Sequence, residues 1–352
     1  MKKSTTFFGQ LIIFVSTLIL INSLNAKADI KVVTTIKPLH SLVSNVMDGI
    51  GEPSLLIEGS SSPHSFILKP SHAKLMEQAD IIFWIGEGME TFMEKPLSSI
   101  AKKAKKVSFM ELASIQKLKF REENIFEHGD HDEDKDHDEH KHDEDKDHDE
   151  HKHDEDKDHD EHKHDEDKDH DEHKHDEDGH DGHHHGEFDA HIWLDPSNAR
   201  EMLYEIAHEL SDLDPANADK YNQNLNETIL AIDKMIINID RDINKNAKFI
   251  VFHDAYQYFE KKFGVASSGA LTLNTDVLPG AKQVSEIQEV ISENNIRCIF
   301  SEPQFNPKII ETIAKDTGIN TDVMDPLGSV FDANKQQYFN LINDLGKKLN
   351  DC

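Results

Sequence analysis

Between Glu127 and Glu187 the chain carries no aliphatic or aromatic side chain. Such a stretch has nothing to bury, so it cannot offset the entropy lost on ordering and is expected to be a solvated, disordered insertion. Any core must be built from the sequence on either side of residues 127–187. The tract also accounts for the low hydrophobic share of 36%, because it holds 18 of the 24 histidines and about −23 of the formal net charge of −31. What remains is moderately acidic and has no basic cluster to meet phosphate, which argues against a nucleic-acid partner.

Residues 1–28 read as a secretory signal. Lys2 and Lys3 precede the apolar run "FFGQLIIFVSTLILI", and Ala26, Lys27 and Ala28 form a small-x-small cleavage site before Asp29. A single membrane anchor is the competing reading, disfavoured because the run is short and interrupted by Gly9, Gln10 and Ser16. No cysteine follows the cleavage site, so a lipid anchor is not indicated. The two cysteines, Cys298 and Cys352, would lie in a compartment where a disulfide can persist. Two unrelated thiols are the other possibility.

From Asp29 the remaining sequence alternates strand-like runs ("IKVVTTI", "PSLLIEG", "DIIFWIG", "KVSFME") with helix-like ones ("PLHSLVSNVMDGI", "SHAKLMEQA"). The rhythm returns after residue 247 with "AKFIVFHDA", "IRCIF" and "NTDVMDP". Alternation of this kind predicts an α/β fold of two lobes, residues 29–213 and 247–352, each a mainly parallel four-stranded sheet flanked by helices. Between them, residues 214–246 place Leu225, Ile229, Ile232, Ile236, Ile239 and Ile243 on one helical stripe. Asp214 as N-cap and Pro215 in the first turn would start one long rigid helix joining the lobes. The tract then interrupts the first lobe, which is tolerable because closure entropy grows only slowly with loop length.

Outside the tract there are six histidines. Three of them, His64 in "SSPHSF", His191 in "DAHIWLDP" and His253 in "FIVFHDA", sit where strands pass into loops, the place where parallel sheets gather ligands. Asp325 in "VMDPLG" offers an oxygen from a similar position. Three imidazoles with or without a carboxylate suit tetrahedral zinc. His208 falls opposite an apolar helical stripe, His72 in a first helical turn and His40 at a helix start, and all three are read as non-ligands.

Taken together, "TTIKPLHSLVSNVM", "SPHSFILKPSHAKLMEQADIIFWIGEGMETFM", "HIWLDPSNAR", "FHDAYQYFEKKFG", "SEPQFNP" and "DPLG" resemble the ZnuA-like family of high-affinity zinc-uptake solute-binding proteins of ATP-binding-cassette transporters. The resemblance runs in order through the chain after the signal. It implies a periplasmic, non-enzymatic protein that takes Zn2+ as cargo in an inter-lobe cleft and delivers it to a membrane permease. It also implies that His64, His191 and His253 are zinc ligands. Some members use a glutamate just before the first histidine, but here that position is Pro63, leaving Asp325 or a water as fourth ligand. The cysteine positions resemble those of disulfide-bearing members, implying a Cys298–Cys352 bridge, and a histidine-rich insertion before the second ligand motif is a family feature. The chain is expected to be monomeric.

The tract repeats "HDEDKDHDEHK" unchanged from His131, His142, His153 and His164 before decaying into "HDEDGHDGHHHG". Imidazoles three apart, such as His137 and His140, can share a metal with nearby carboxylates. His131, His137, His140, His142, His148, His151, His183, His184 and His185 are thus candidate weak accessory ligands that gather or sense zinc near the cleft. A pH-responsive polyanion and a solubilising spacer are the alternatives. For the whole protein, a manganese or iron carrier of the same fold, a surface adhesin and a zinc hydrolase compete. The hydrolase lacks any H-E-x-x-H helix. Because imidazole binds metal only when unprotonated, capture should weaken below about pH 6.5.

Overall fold

The computed structural model describes residues 30–125, 187–273, 275 and 279–352. The signal segment and the tract, with its accessory histidines, lie outside them. The first sheet contains β1 (Val32–Thr34), β2 (Ser54–Leu55), β3 (Ile81–Trp84) and β4 (Lys105–Ser108) in the order β2-β1-β3-β4. The second contains β5 (Phe249–His253), β6 (Ala270–Thr272), β7 (Cys298–Ser301) and β8 (Asn320–Val323) in the equivalent order β6-β5-β7-β8. Every pairing is parallel. Runs such as "IIFW" are buried throughout, as expected of parallel strands covered on both faces.

The helices are α1 (Lys37–Val46), α2 (Pro70–Gln78), α3 (Glu94–Ser99), α4 (Pro196–Leu213), α5 (Ala218–Asp242), α6 (Gln257–Phe263), α7 (Ala281–Glu293), α8 (Lys308–Thr317) and α9 (Gln337–Asp351). Local chemistry sets several boundaries. Pro196 occupies the first turn of α4 while the Asp195 side chain accepts the Ser197 N–H at 2.7 Å, combining a proline start with an acidic cap. α6 stops where Gly264 takes φ 63°, a left-handed conformation that costs glycine little. No helix among the described residues is long and apolar enough to cross a membrane.

α5 is shorter than the expected 214–246 helix. Pro215–Asn217 form a 3-10 turn before it, and Ile243 leaves it in an extended conformation. Asp214 does not cap α5; its carboxylate accepts from Asn217 Nδ2 at 2.8 Å and the Tyr221 hydroxyl at 3.2 Å. The 25 residues still span roughly 37 Å at 1.5 Å each. The apolar stripe faces inward, with Ile232 wholly buried. α5 packs against α4, α1 and α9.

α9 follows the second sheet in sequence but lies on α1 and α5, so the boundary expected at 247 does not keep all of 247–352 with the second sheet. The preceding loop is fastened to α1 as well. Lys37 Nζ donates to the Ser329 and Phe331 carbonyls at 2.7 and 3.0 Å, and Asn45 Nδ2 donates to the Lys335 carbonyl at 2.8 Å. A disulfide joins Cys352, just beyond α9, to Cys298 at the start of β7, with Cα atoms 5.7 Å apart.

Side-chain alternation along β5 and β7 divides the core. Phe249, Val251, Cys298 and Phe300 join one apolar cluster that includes β1, β3, α1, α4, α5 and α9 residues. Ile250, Phe252 and Ile299 point to the opposite face, against α7 and α8. The larger cluster therefore runs without interruption from one sheet to the other.

Candidate metal centre

Each candidate ligand is delivered by a strand's carboxyl end or the loop beyond it. His253 is the last residue of β5. His64 lies in the loop after β2, and His191 immediately precedes a 3-10 turn at Ile192–Leu194. The three rings converge: centroids are 5.2 Å apart for His191 and His253, 5.4 Å for His64 and His191, and 6.0 Å for His64 and His253. One ring nitrogen from each lies within 4.8 Å of the others. His191 and His253 are buried and His64 is half-buried.

Two buried acids orient the rings. His191 Nδ1 is 2.6 Å from Asp189 Oδ1, which also accepts the His191 backbone N–H at 3.0 Å. His253 Nδ1 is 2.7 Å from Glu302 Oε1, just beyond the neighbouring strand β7. A carboxylate only accepts, so each pair assigns the proton to Nδ1 and leaves the Nε2 lone pair to the centre of the site, the arrangement that fixes metal-binding imidazoles. The two Nε2 atoms then face one another at 3.3 Å. Two lone pairs at that separation are compatible only with a proton or a cation between them. A tetrahedral ion with nitrogen ligands at about 2.0–2.1 Å has edges of roughly 3.3–3.4 Å, so the observed spacing matches zinc.

Burial, reinforced by the charge of His253, holds His191 well below the ordinary imidazole value. At His253 burial also pulls downward, but the charge and hydrogen bond of Glu302, then Asp254 and Asp189, carry the ring above that value. Burial pushes Asp189 up to about 7 and raises Glu302 as well.

A cavity of about 10 Å³ is lined by the three rings together with Trp193, Gln304, Phe305 and Leu327, space for about one water-sized guest. A second cavity of about 180 Å³ reaches the same three histidines from the side of Phe120, Arg121 and Asp254. Arg121 ties that wall together, donating to Asp254 at 2.6 Å and Glu260 at 2.5 Å. A further cavity, of about 990 Å³, opens at the amino ends of β7 and β8 among Arg297, Asn295 and Asn320. It is an open surface groove without convergent ligands.

Asp325 is not among the three convergent residues. Its oxygens are taken by Gln304 Nε2 at 2.7 Å, the Leu327 N–H at 3.0 Å and the Ser329 N–H at 2.5 Å, so it caps its own loop. The other described histidines also stand apart. His40 Nε2 is 3.1 Å from the Pro53 carbonyl, His72 Nδ1 accepts the Lys69 N–H at the start of α2, and His208 is exposed near Asp212. Asp189 and Glu302 were not foreseen from sequence. The first carries a local signal, a carboxylate two residues before a candidate ligand; the second, 49 residues from its partner, carries none.

The family model described as zinc-uptake complex component A, periplasmic, matches residues 32–352. The high-affinity zinc uptake system protein ZnuA of Brucella abortus (strain 2308) is 42% identical over 323 residues, covering 91% of each chain. The protein of the same name from Haemophilus influenzae is 40% identical over 347 residues, covering 96% of each. Among solved structures, a crystal structure of ZnuA superposes with a TM-score of 0.66 at 18% identity, covering 92% of this chain and 99% of the other. That likeness concerns the fold.

Proposed function

The chain belongs to the ZnuA family of periplasmic zinc-uptake components, and from that premise we propose that it captures Zn2+ on His64, His191 and His253 and delivers it to the permease of an ATP-binding-cassette transporter. The observation that carries this reading is the 3.3 Å separation of the His191 and His253 Nε2 atoms, each aimed by a buried carboxylate. The cargo would replace the proton between them, so loading at neutral pH should release protons. A nitrogen-rich donor set favours zinc over manganese, which takes more oxygen ligands. With Asp325 engaged by its own loop, water is the fourth ligand in this reading.

The continuous core beneath the site and the unbroken α5 support release by a small movement of the His64 loop over wide opening of two lobes. Cleavage after Ala28 would free a mature monomer beginning at Asp29. The tract would gather zinc through many weak sites.

Zinc titration of the mature protein beside a deletion of residues 127–187 tests these assignments together. One strong site should survive the deletion while several weak ones disappear. Loss of the strong site in the deletion, or its survival in His191→Ala, would refute the ligand set. Zinc-loaded protein should show no esterase, amidase or phosphatase turnover.

A further inference from the structure

Gln304 lies two residues beyond Glu302 on the loop after β7 and lines the small cavity with all three histidines. Its Nε2 donates to Asp325 Oδ1 at 2.7 Å. Asp325 also accepts two backbone N–H groups, and an ionised carboxylate cannot donate. The amide orientation is therefore determined by chemistry: nitrogen toward Asp325, oxygen away from it. That oxygen, Oε1, is buried and makes no hydrogen bond among the described residues. An acceptor enclosed in this way is costly to leave unsatisfied. Of the other residues lining the cavity, Phe305, Pro326 and Leu327 offer no side-chain donor, the Trp193 Nε1–H is engaged by the Pro326 carbonyl, and the Ser62 hydroxyl makes no hydrogen bond to this oxygen.

We propose that Gln304 governs the fourth position of the zinc site, its amide oxygen accepting a hydrogen bond from the water that completes the shell while its amide nitrogen keeps Asp325 off the metal. This rests on the zinc assignment to the three histidines. Zinc-bound water is a strong donor and needs an acceptor when enclosed, and the cavity holds about one such guest. The same side chain thereby keeps the directly bound donors uncharged. Gln304 touches the cargo only through water, so it is a positioning and specificity-determining residue.

The test uses the full mature chain with Gln304→Met, nearly isosteric but with neither amide group, and Gln304→Leu should the first variant fail to fold. Zinc affinity is read by chelator competition, and the fourth position by azide titration of the cobalt-loaded protein, followed in the visible spectrum. Zinc affinity should fall about 10- to 100-fold, the range for groups that orient metal ligands. Azide, meeting a water no longer held, should bind cobalt at roughly tenfold lower concentration. A purely structural role for Gln304 would leave the azide midpoint unmoved. The proposal is overturned if the azide midpoint stays within about threefold of the unsubstituted protein, whether or not zinc affinity falls. A parallel His191→Ala variant separates the two levels of the argument: if it keeps the strong zinc site, the histidine assignment itself fails, whatever Gln304→Met does.

Discussion

Glu90 shows how far burial alone can move an acid. Its side chain is fully buried, accepts from the Thr35 hydroxyl at 2.5 Å and the Gly86 N–H at 2.9 Å, and is nevertheless pushed up to about 7 by desolvation. Because the folded value lies above the ordinary 4.5, the stability this group contributes is fully present below pH 4.5 and is lost as pH rises through about 7. The loss amounts to about 3 kcal/mol. Glutamine mimics the protonated acid, so urea unfolding of metal-free Glu90→Gln should gain on the unsubstituted protein by about that amount between pH 4.5 and 8. A constant difference across that range would contradict the assignment. At the proposed metal centre, Glu302→Gln should weaken zinc binding about 10- to 100-fold in chelator competition, since the ring of His253 loses the charged carboxylate that raises its basicity. The convergence of His64, His191 and His253 was legible because strand ends and motif context mark them. Asp189 and Glu302 act through those rings, and nothing in a linear pattern ties residue 302 to residue 253. Asp325 stood at the right kind of position, but its loop's own N–H groups and Gln304 compete for its oxygens.

Among the elements, the apolar stripe on α5 was readable as a helix, while its ends were not. Pro215 favours a tight turn as readily as a helical start, and Ile243 keeps its apolar contact after the backbone has become extended. The strand rhythm predicted the two sheets, whose equal strand orders follow from the same β-α construction. The placement of α9 was beyond reach for a different reason. Periodicity tells which face of a helix is buried, not which partner covers it. Here the partner is α5, and a Cβ added at Gly346 of α9 would lie 3.2 Å from Ile239 Cγ2, so the missing side chain permits the approach. Gly346→Leu should therefore destabilise the protein by about 1–3 kcal/mol despite leucine's better helix propensity. Thermal unfolding measures it; a stabilised variant would show that the helices can separate without cost.

For the molecule as a whole, the apolar cluster shared by both sheets and the crossing of α9 make the two sheets one cooperative unit. Calorimetry of the metal-free protein should give a single unfolding transition, and zinc at about a thousand times its dissociation constant should raise that transition's free energy by about 4 kcal/mol. Two separable transitions, only one of them moved by zinc, would show that the sheets melt independently. Trp193 lies on this junction. It is fully buried, its ring is 5.3 Å from that of His191, and its Nε1 donates to the Pro326 carbonyl at 2.9 Å. An indole in van der Waals reach of the His191 imidazole is an optical probe already installed at the proposed zinc site. Its emission should respond when a cation replaces the proton there, while Trp84, on β3, supplies a background signal. Zinc occupancy should then be followed by intrinsic fluorescence with no dye attached, and Trp193→Phe should silence the signal while leaving the metal in place.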